Sequence, residues 1–357
     1  MAAKVIVGLS GGVDSAVAAL LLKNEGYEVI GLTLRTWESE GGESRCCEID
    51  DARETARKLG IRYLVFNRVS DFKDKIVGPF IESYLRGVTP NPCVICNREI
   101  KWEQLCYAAR LTGSDYVATG HYAELIKLPN GRYTVKKALH AENDQSYMLY
   151  RLTQDQLAMT LLPLGGYSKA EIREIAETAG LEVAHKRDSQ EICFVTDGNY
   201  ADFIAEHAGR ALPGEGNFVD TEGRILGKHR GIVHYTVGPR RGLGIALGQR
   251  AYIRKICPET NEIVLGFSDD TVCREIVCGD LNFLGICEPE SGTAMRSSVK
   301  VRYRHPGAPA NLYFGEGECR IIFDEPVGFA APGQSAVFYD DDGRVIGGGI
   351  IKEAVFD

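Results

Sequence analysis

The sequence predicts an α/β fold with a doubly wound parallel sheet, followed by a small β-rich domain and an antiparallel β-barrel. Short strand-like and helical runs alternate over roughly the first 120 residues, as in βαβ units. Glycine-rich, strand-like pieces dominate after Tyr200, and an alternating pattern continues from about Cys278 to Asp357. With 357 residues the chain exceeds the usual size of a single core, so we expect domains at 1–200, 201–277 and 278–357.

Individual elements follow from the apolar periodicity and from turn residues. Capping residues add to this, since Ser168 with Glu171 three positions later forms a capping-box pattern. Predicted strands are Val5–Leu9, Glu28–Leu34, Tyr63–Asn67 and Asp115–Thr119. Predicted helices are Ala16–Lys23, Ile49–Leu59, Gln154–Leu161 and Lys169–Ala179. Predicted turns are DTEG, PETNE and the hairpin at Tyr339–Gly343.

Composition narrows the class of protein. The chain is 44% hydrophobic and 25% charged, which is typical of a globular protein. No run approaches the ~20 apolar residues of a membrane span, and no signal peptide precedes Lys4, so we expect a cytoplasmic protein without a membrane partner. Because the net charge is −8, any nucleic-acid contact must come from local basic clusters such as Lys300, Arg302, Arg304 and His305.

The hexapeptide SGGVDS at Ser10–Ser15 lies between a predicted strand and a predicted helix. Gly11 and Gly12 leave room for a ligand against the backbone, and the N–H groups of the first helical turn favour an anion. Asp14 has two candidate roles, as a helix cap or as a ligand of a phosphate-bound Mg²⁺. No Gly-Lys-Ser/Thr follows, so this is not a Walker A loop. It resembles the pyrophosphate-binding loop of the N-type ATP pyrophosphatases, of adenine nucleotide alpha hydrolase-like fold, which adenylate a carbonyl oxygen.

Eleven cysteines, an odd number, argue against a disulfide framework in a reducing compartment. Several lie in strand-like runs and are expected to be small buried apolar residues: Cys257, Cys273, Cys278, Cys287 and Cys319. Cys93, Cys96 and Cys193 lie in a different kind of sequence.

The segment RGVTPNPCVICNREIKWEQL surrounds two of these three thiols. Pro90 and Pro92 predict an extended approach with no helix before Cys93 and a helix that starts near Cys96. A thiol at a helix N-terminus beside Arg98 would have a lowered pKa. Cys193 has Lys186 and Arg187 nearby in sequence. On these facts alone, two buried thiols in unrelated loops are an equally good interpretation.

Further motifs make a resemblance specific. In order along the chain they are SGGVDS, TPNPCVICN at Thr89–Asn97, GHYA at Gly120–Ala123, DQSYML at Asp144–Leu149, DSQEICFV at Asp188–Val195, GKHRG at Gly227–Gly231, YTVGPRRGLG at Tyr235–Gly244 and VRYR at Val301–Arg304. Together they resemble the tRNA-uridine 2-sulfurtransferases, the MnmA/TrmU family, along nearly the whole chain.

The resemblance implies a reaction and its participants. ATP, with Mg²⁺, would adenylate the oxygen on carbon 2 of the wobble uridine of tRNA, and sulfur would then displace AMP. Cys193 matches the cysteine that carries a persulfide received from a donor protein, and Cys96 matches its partner. The implied ATP-binding residues are Gly8, Leu9, Ser10, Gly11, Gly12, Val13, Asp14, Ser15, Leu34 and Gly120. The implied contacts to the target base and tRNA are Asn91, Pro92, Cys93, His121, Asn143, Asp144, Gln145, Arg302, Tyr303 and Gln334.

Three residues depart from the family's frequent pattern. Cys93 stands where Asp is frequent, Asn143 where Lys is common, and Pro239 where Gln is frequent. Since Cys93, Cys96 and Cys193 are three thiols, they also allow an iron–sulfur cluster that delivers sulfide in place of a persulfide. Two further hypotheses are an amidating synthetase and a nucleotide-dependent RNA-binding module with a structural zinc.

Overall fold

The computed structural model describes residues 2–37, 49–186, 192–195, 199–238, 243, 245, 251–267 and 272–355. Strands in the first part of the chain are β1 (Lys4–Gly8), β2 (Glu28–Arg35), β3 (Arg62–Asn67), β4 (Tyr116–Ala118), β5 (Ala123–Lys127), β6 (Tyr133–Lys137) and β7 (Thr160–Leu161). The α-helices are α1 (Val13–Asn24), α2 (Ile49–Leu59), α3 (Val69–Phe72), α4 (Gly78–Leu85), α5 (Pro92–Cys96), α6 (Glu103–Thr112), α7 (Gln154–Ala158), α8 (Lys169–Thr178) and α9 (Tyr200–His207).

Short helical segments of other types complete this part. The π-helical segments Lys73–Val77 and Asn97–Trp102 join α3 to α4 and α5 to α6. Single turns of 3-10 helix occupy Ser146–Leu149, Glu182–His185 and Ile232–His234.

The first sheet is parallel, in the order β3-β2-β1-β4-β7. Its central strand β1 is apolar on both faces: Ile6 packs into one core cluster, whereas Val5 and Val7 pack into a second. All three side chains are fully buried, at 0% exposure. Helices cover both faces, and the doubly wound parallel sheet predicted from the sequence is confirmed.

The middle part of the chain forms a second sheet. Its strands are β8 (Gly216–Val219), β9 (Ile225–His229), β10 (Tyr252–Cys257) and β11 (Glu262–Gly266), in the order β10-β11-β8-β9. Pairs β10–β11 and β8–β9 are antiparallel, while β11 runs parallel to β8. The predicted small β-rich unit is present, and α9 precedes it.

The last part is a closed antiparallel barrel, also as predicted. Its strands are β12 (Val272–Phe283), β13 (Ala294–Lys300), β14 (Ala308–Phe314), β15 (Glu318–Gly328), β16 (Ser335–Tyr339) and β17 (Val345–Val355). They close in the order β12-β15-β14-β13-β16-β17, because β12 pairs with both β15 and β17. The predicted domain boundary at residue 278 falls within β12.

Three local predictions are wrong. The helix predicted at Gln154–Leu161 ends at Ala158, because Thr160 and Leu161 pair with β4 as the edge of the sheet. The alternating pattern from about Cys278 to Asp357 predicts a strand through VRYR, but β13 ends at Lys300, just before this run. Cys287 is exposed, since β12 ends four residues before it at Phe283. The ends of elements depend on tertiary pairing that a local pattern does not contain.

No helix among the described residues is long and apolar enough to cross a membrane.

Candidate active site

The turn after β1 is shaped to receive an anion. Gly11 has a φ of +75°, and Gly12 is the N-cap of α1. Ser15 accepts a hydrogen bond from the backbone N–H of Ser10 at 3.1 Å and donates to the carbonyl of Gly12 at 3.0 Å. Among the described residues no side chain caps α1, so its first-turn N–H groups face the turn. The predicted residues Gly8–Ser15 therefore form a helix N-terminus suited to phosphate.

Gly120, after β4, lies directly against the start of α1. A Cβ at this position would stand 2.7 Å from the carbonyl carbon of Asp14 and 2.7 Å from the nitrogen of Ser15. Since β1 and β4 are neighbours and the chain order reverses between them, this contact marks the switch point of the sheet. The structure thus brings Gly120 to the predicted phosphate turn.

The end of β2 runs beside the same turn. Thr33 donates a hydrogen bond to the carbonyl of Leu9 at 2.7 Å, and the N–H of Leu9 donates to Leu32 at 2.8 Å. Leu34, one residue further, is buried at 7% exposure. Its side chain packs in the core cluster that contains Ile6.

Asp14 does not cap α1. Its carboxylate is held by Lys169 Nζ, 2.8 Å from both oxygens, and by the Tyr122 hydroxyl, which donates to Oδ1 at 2.6 Å. The carboxylate is therefore already paired with a lysine, and its role as a ligand of Mg²⁺ stays a prediction. A magnesium ion that arrives with a nucleotide belongs to the substrate.

A second lysine approaches the turn from the other side. Lys186 Nζ lies 2.5 Å from Oδ2 of Asp51 and 3.4 Å from the carbonyl oxygen of Gly11. Burial lowers the pKa of Lys186. Sequence reasoning did not assign Lys169 or Lys186 to this site. The capping box that begins α8 places Lys169 on a helix, but it gives no sign of the partner Asp14, which is 155 residues away.

The helix that carries Cys96 begins earlier than predicted. Asn91 is the N-cap of α5 and Pro92 its first residue, a position that proline suits because no N–H is needed there. Cys93 is therefore in the first turn, and Cys96 is the last residue of α5. Cys93 is half-buried, whereas Cys96 is buried at 6% exposure.

Cys193 is half-buried, whereas Cys96 is buried. Cys193 packs against the core cluster that contains Cys96. The next residue, Phe194, is 1% exposed, with its ring 5.1 Å from that of Phe80 and 5.6 Å from that of Phe72. This aromatic anchor fixes the chain at Cys193. The preceding motif residues 188–191, with Arg187, lie outside the described residues, as does Pro239.

The predicted RNA-contacting residues near β4 differ in environment. Burial, with a smaller effect of Lys101, lowers the pKa of His121 to about 3, so the ring is neutral near pH 7. Its Nδ1 lies 2.9 Å from the Thr119 hydroxyl. Asn143 is half-exposed, whereas Asp144 is buried at 6% exposure with its carboxylate turned inward. Asp144 holds neighbouring backbone in place and does not face solvent.

The barrel touches the loop before α5. Gln334 Nε2 donates to the carbonyl oxygen of Thr89 at 2.9 Å, and the N–H of Thr89 donates to Pro332 at 3.0 Å. Tyr303 packs on Tyr147, with ring centroids 6.1 Å apart. Three sites that the sequence predicts separately are therefore in contact: the loop at 89–93, the DQSYML motif and the barrel.

The basic cluster predicted on the barrel is smaller than expected. Lys300 is 8% exposed and lies 3.8 Å from Asp144, so it is an internal cation. Burial lowers the pKa of His305. Arg302 lies over the ring of Phe329, 5.5 Å from its centroid, and Arg304 is exposed. Arginine, not lysine or histidine, supplies the charge at this surface.

The two metal-based hypotheses differ in how far the described residues test them. Within those residues, no group of three or more His, Cys, Asp or Glu side chains is arranged to hold a metal ion. Cys93, Cys96 and Cys193 are all described. The described positions of Cys93, Cys96 and Cys193 therefore do not fit a three-cysteine iron–sulfur cluster. The structural zinc stays a prediction, because two further thiols, Cys46 and Cys47, lie outside the described residues.

Comparison with protein families defines the class. The family model described as the tRNA methyl transferase HUP domain matches residues 3–197, the tRNA methyl transferase PRC-barrel domain matches 201–267, and the aminomethyltransferase beta-barrel domain matches 273–351. The chain is a three-part HUP-domain enzyme of tRNA modification.

Relatives narrow the class to one family. The tRNA-specific 2-thiouridylase MnmA of Lachnoclostridium phytofermentans is 49% identical, over 98% of this chain and 99% of its own. That of Clostridioides difficile is 47% identical, over 99% of each chain. The chain belongs to the MnmA family of tRNA-specific 2-thiouridylases, which confirms the resemblance. A solved 4-thiouridine synthetase in complex with RNA and ATP is 18% identical over 57% of this chain and 50% of its own, with a TM-score of 0.34, and carries no part of this assignment.

Proposed function

We propose that this enzyme uses ATP to replace the carbon-2 oxygen of the wobble uridine of tRNA with sulfur carried on Cys193. One observation supports this most directly: the chain combines a phosphate-shaped turn at the sheet switch point with two cysteines, Cys96 and Cys193, on one core cluster. Family membership supplies the substrate class.

The first half-reaction takes place at the turn after β1. The N–H groups at the start of α1 bind the phosphates of ATP, and Leu34 and Gly120 line the nucleotide site. The uridine O2 attacks the α-phosphorus, pyrophosphate leaves, and the base carries AMP on O2. Positive charge near the turn, on Lys169 and Lys186, stabilises the leaving pyrophosphate.

The target base lies against the loop at Asn91–Cys93. A base must leave its stack to react, and this loop begins a helix whose far end bears Cys96. His121, Asn143, Gln145, Arg302, Tyr303 and Gln334 contact the RNA around it, while the buried Asp144 positions its neighbours.

The second half-reaction moves sulfur with a balanced set of bonds. A donor protein transfers sulfane sulfur to the Cys193 thiolate, which becomes a persulfide. Its terminal sulfur attacks carbon 2, and AMP leaves with the oxygen. The Cys96 thiolate then attacks the Sγ of Cys193 and breaks the persulfide bond, which leaves thiouridine and a Cys96–Cys193 disulfide. An external dithiol reductant restores both thiols.

The exposure of the two cysteines fits this division of roles. Cys193 is half-buried and therefore reachable by a donor protein, whereas Cys96 is buried at 6% exposure. Because Cys96 is buried, it can attack the persulfide only from inside the site. Thiols in solution are thereby excluded from this reaction.

The test uses the full chain with ATP, an unmodified tRNA transcript, glutathione persulfide as sulfur source and dithiothreitol as reductant. After nuclease digestion, mass spectrometry quantifies 2-thiouridine. We expect Cys193→Ser to lower thiolation at least about a thousandfold, as when a covalent nucleophile is lost, while tRNA-dependent pyrophosphate release continues.

Cys287→Ser is the matched control, because Cys287 is exposed and far along the chain from the site. It should thiolate like the wild type. If Cys193→Ser forms as much 2-thiouridine as the wild type, Cys193 has no part in the mechanism. If the wild type forms no 2-thiouridine, the proposed function fails.

A further inference from the structure

A continuous series of contacts joins the barrel to Asp14 in the phosphate turn. We infer that Tyr122 is a positioning residue that couples RNA binding to ATP binding, through Gln145 on one side and Asp14 on the other. This inference rests on the proposed function, since it needs both ligands to bind the chain.

The series starts at a buried ion pair between the barrel and the DQSYML motif. Lys300, at the end of β13, lies 3.8 Å from Asp144, and both residues are less than a tenth exposed. Asp144 also accepts hydrogen bonds from the N–H groups of Ala138 at 3.2 Å and Ser146 at 3.0 Å. A buried carboxylate with these partners fixes its own segment, because breaking the pair would leave a charge uncompensated.

Two further contacts fasten the same segment to β16. The hydroxyl groups of Ser146 and Tyr339 lie 3.1 Å apart. Tyr147 donates to the carbonyl of Ser335 at 3.0 Å and accepts from its N–H at 3.2 Å. Residues 144–147 therefore move with the barrel, which carries the predicted RNA contacts Arg302, Tyr303 and Gln334.

Gln145, inside this segment, holds the backbone of Tyr122 at both of its polar groups. The side-chain oxygen of Gln145 accepts from the N–H of Tyr122 at 3.0 Å. The N–H of Gln145 donates to the carbonyl of Tyr122 at 2.8 Å. A shift of Gln145 on RNA binding is thus passed to the main chain of Tyr122.

Tyr122 in turn contacts the phosphate turn through its side chain. Its hydroxyl donates to Oδ1 of Asp14 at 2.6 Å, and its side chain is 4% exposed. A hydrogen bond to a carboxylate is stronger than one between neutral groups, and this one is partly buried. Asp14 is in the first turn of α1, whose N–H groups bind phosphate in our proposal. Lys169 shares the same carboxylate, so a displaced Asp14 also displaces a cation.

Coupling of this kind is reciprocal: if tRNA strengthens ATP binding, ATP strengthens tRNA binding by the same factor. Tyr122→Phe removes only the hydroxyl that reaches Asp14. The ring and the backbone contacts to Gln145 stay in place. The variant should therefore fold, bind each ligand alone and lose the coupling between them.

The experiment measures binding of α,β-methylene-ATP by titration calorimetry, with and without a saturating unmodified tRNA transcript. For the wild type we expect tRNA to tighten analogue binding at least about fivefold, the lower end of common coupling factors. For Tyr122→Phe we expect a factor below about twofold, with tRNA affinity in the absence of nucleotide unchanged.

Tyr116→Phe is the control, because Tyr116 lies in β4, is half-buried and packs on Tyr27 with ring centroids 6.1 Å apart. It should keep the wild-type coupling. Coupling retained in Tyr122→Phe, or lost equally in Tyr116→Phe, overturns the inference. A wild type that makes 2-thiouridine but shows no coupling refutes this inference alone and leaves the proposed function intact.

Discussion

Two pairs of cysteines in this chain occupy opposite environments. Cys278 and Cys319 stand directly opposite each other on β12 and β15, inside the barrel, and both are fully buried at 0% exposure. Cys96 and Cys193 belong to separate segments, and one of them is half-exposed. The contrast shows that the number and proximity of thiols do not by themselves make a site, since access and surroundings differ.

Cys278 of the barrel pair also has a low nucleophilic reactivity. The neighbouring Cys319 thiol and burial hold the pKa of Cys278 well above its usual range. Only the thiolate is a nucleophile, so Cys278 remains protonated and unreactive near neutral pH. In the barrel these cysteines serve as small apolar side chains, as predicted from the sequence for both.

The largest expected difference between the pairs is in alkylation. With iodoacetamide at pH 8, we expect Cys193 to react at least about a hundredfold faster than Cys278, because a raised pKa removes about tenfold of thiolate per unit and burial blocks access. Peptide mass spectrometry over a time course gives both rates in one sample.

The exposed Cys287 serves as the internal standard in that experiment and should react readily. Adding denaturant should raise the alkylation rate of Cys278 to about that of Cys287. Comparable labelling of Cys278 and Cys193 in the folded protein would erase the contrast between the pairs.

A smaller effect is expected on stability. Cys278→Ser places a hydroxyl in an apolar core where the surroundings are closely packed, since Sγ already lies 3.1 Å from a Cβ built on Gly349. We expect a loss of about 1–3 kcal/mol in the local stability of the barrel. Hydrogen exchange of the β12 and β15 amides measures this.

Thiolation by Cys278→Ser should stay near the wild-type rate at a temperature where the barrel remains folded. Cys287→Ser should change hydrogen exchange little, within about 0.5 kcal/mol, as for most surface substitutions. Exchange in Cys278→Ser that matches the wild type would show that the pair does not contribute to the barrel core.

A further comparison concerns His121, a half-buried group on the active-site side. Its pKa in the folded chain is about 3, below the ordinary value of 6.5. Between these two values the unfolded chain binds the proton and the folded chain does not, so stability falls as the pH drops from 6.5. His121→Gln should make the free energy of unfolding less dependent on pH between 6.5 and 4.

Denaturant titrations at several pH values measure that slope. His140→Gln is the comparison variant, because His140 is only partly buried, with 35% of its side chain exposed. An acid slope that is equal in the wild type and in His121→Gln would contradict a neutral His121 ring in the folded chain.

The parts of the site that were predictable from sequence are local in the chain. SGGVDS joins a strand to a helix within a few residues, and its two glycines predict a turn of the backbone directly. The Ser168–Glu171 capping box is equally local and is present as predicted. Such features require no knowledge of distant partners.

The contacts that were missed join distant segments. Lys169 and Asp14 are 155 residues apart, and Gln334 and Thr89 are 245 apart. The basic run in the sequence predicts that Lys300 is a surface charge, but tertiary packing places its side chain beside Asp144. The start of α5 was mispredicted for another reason: Pro92 was interpreted as a helix breaker, although proline fits the first position of a helix.

The fit between the barrel and the loop before α5 has a consequence for protein engineering. A Cβ at Gly333 would lie 2.4 Å from a side-chain carbon of Val88 and 2.8 Å from the carbonyl oxygen of Thr89, and the φ of Gly333 is +90°. The barrel is therefore not an interchangeable module that can be exchanged between homologues at a linker. A chimaera that imports a foreign barrel must import residues 88–91 with it, because the two surfaces are shaped as one piece.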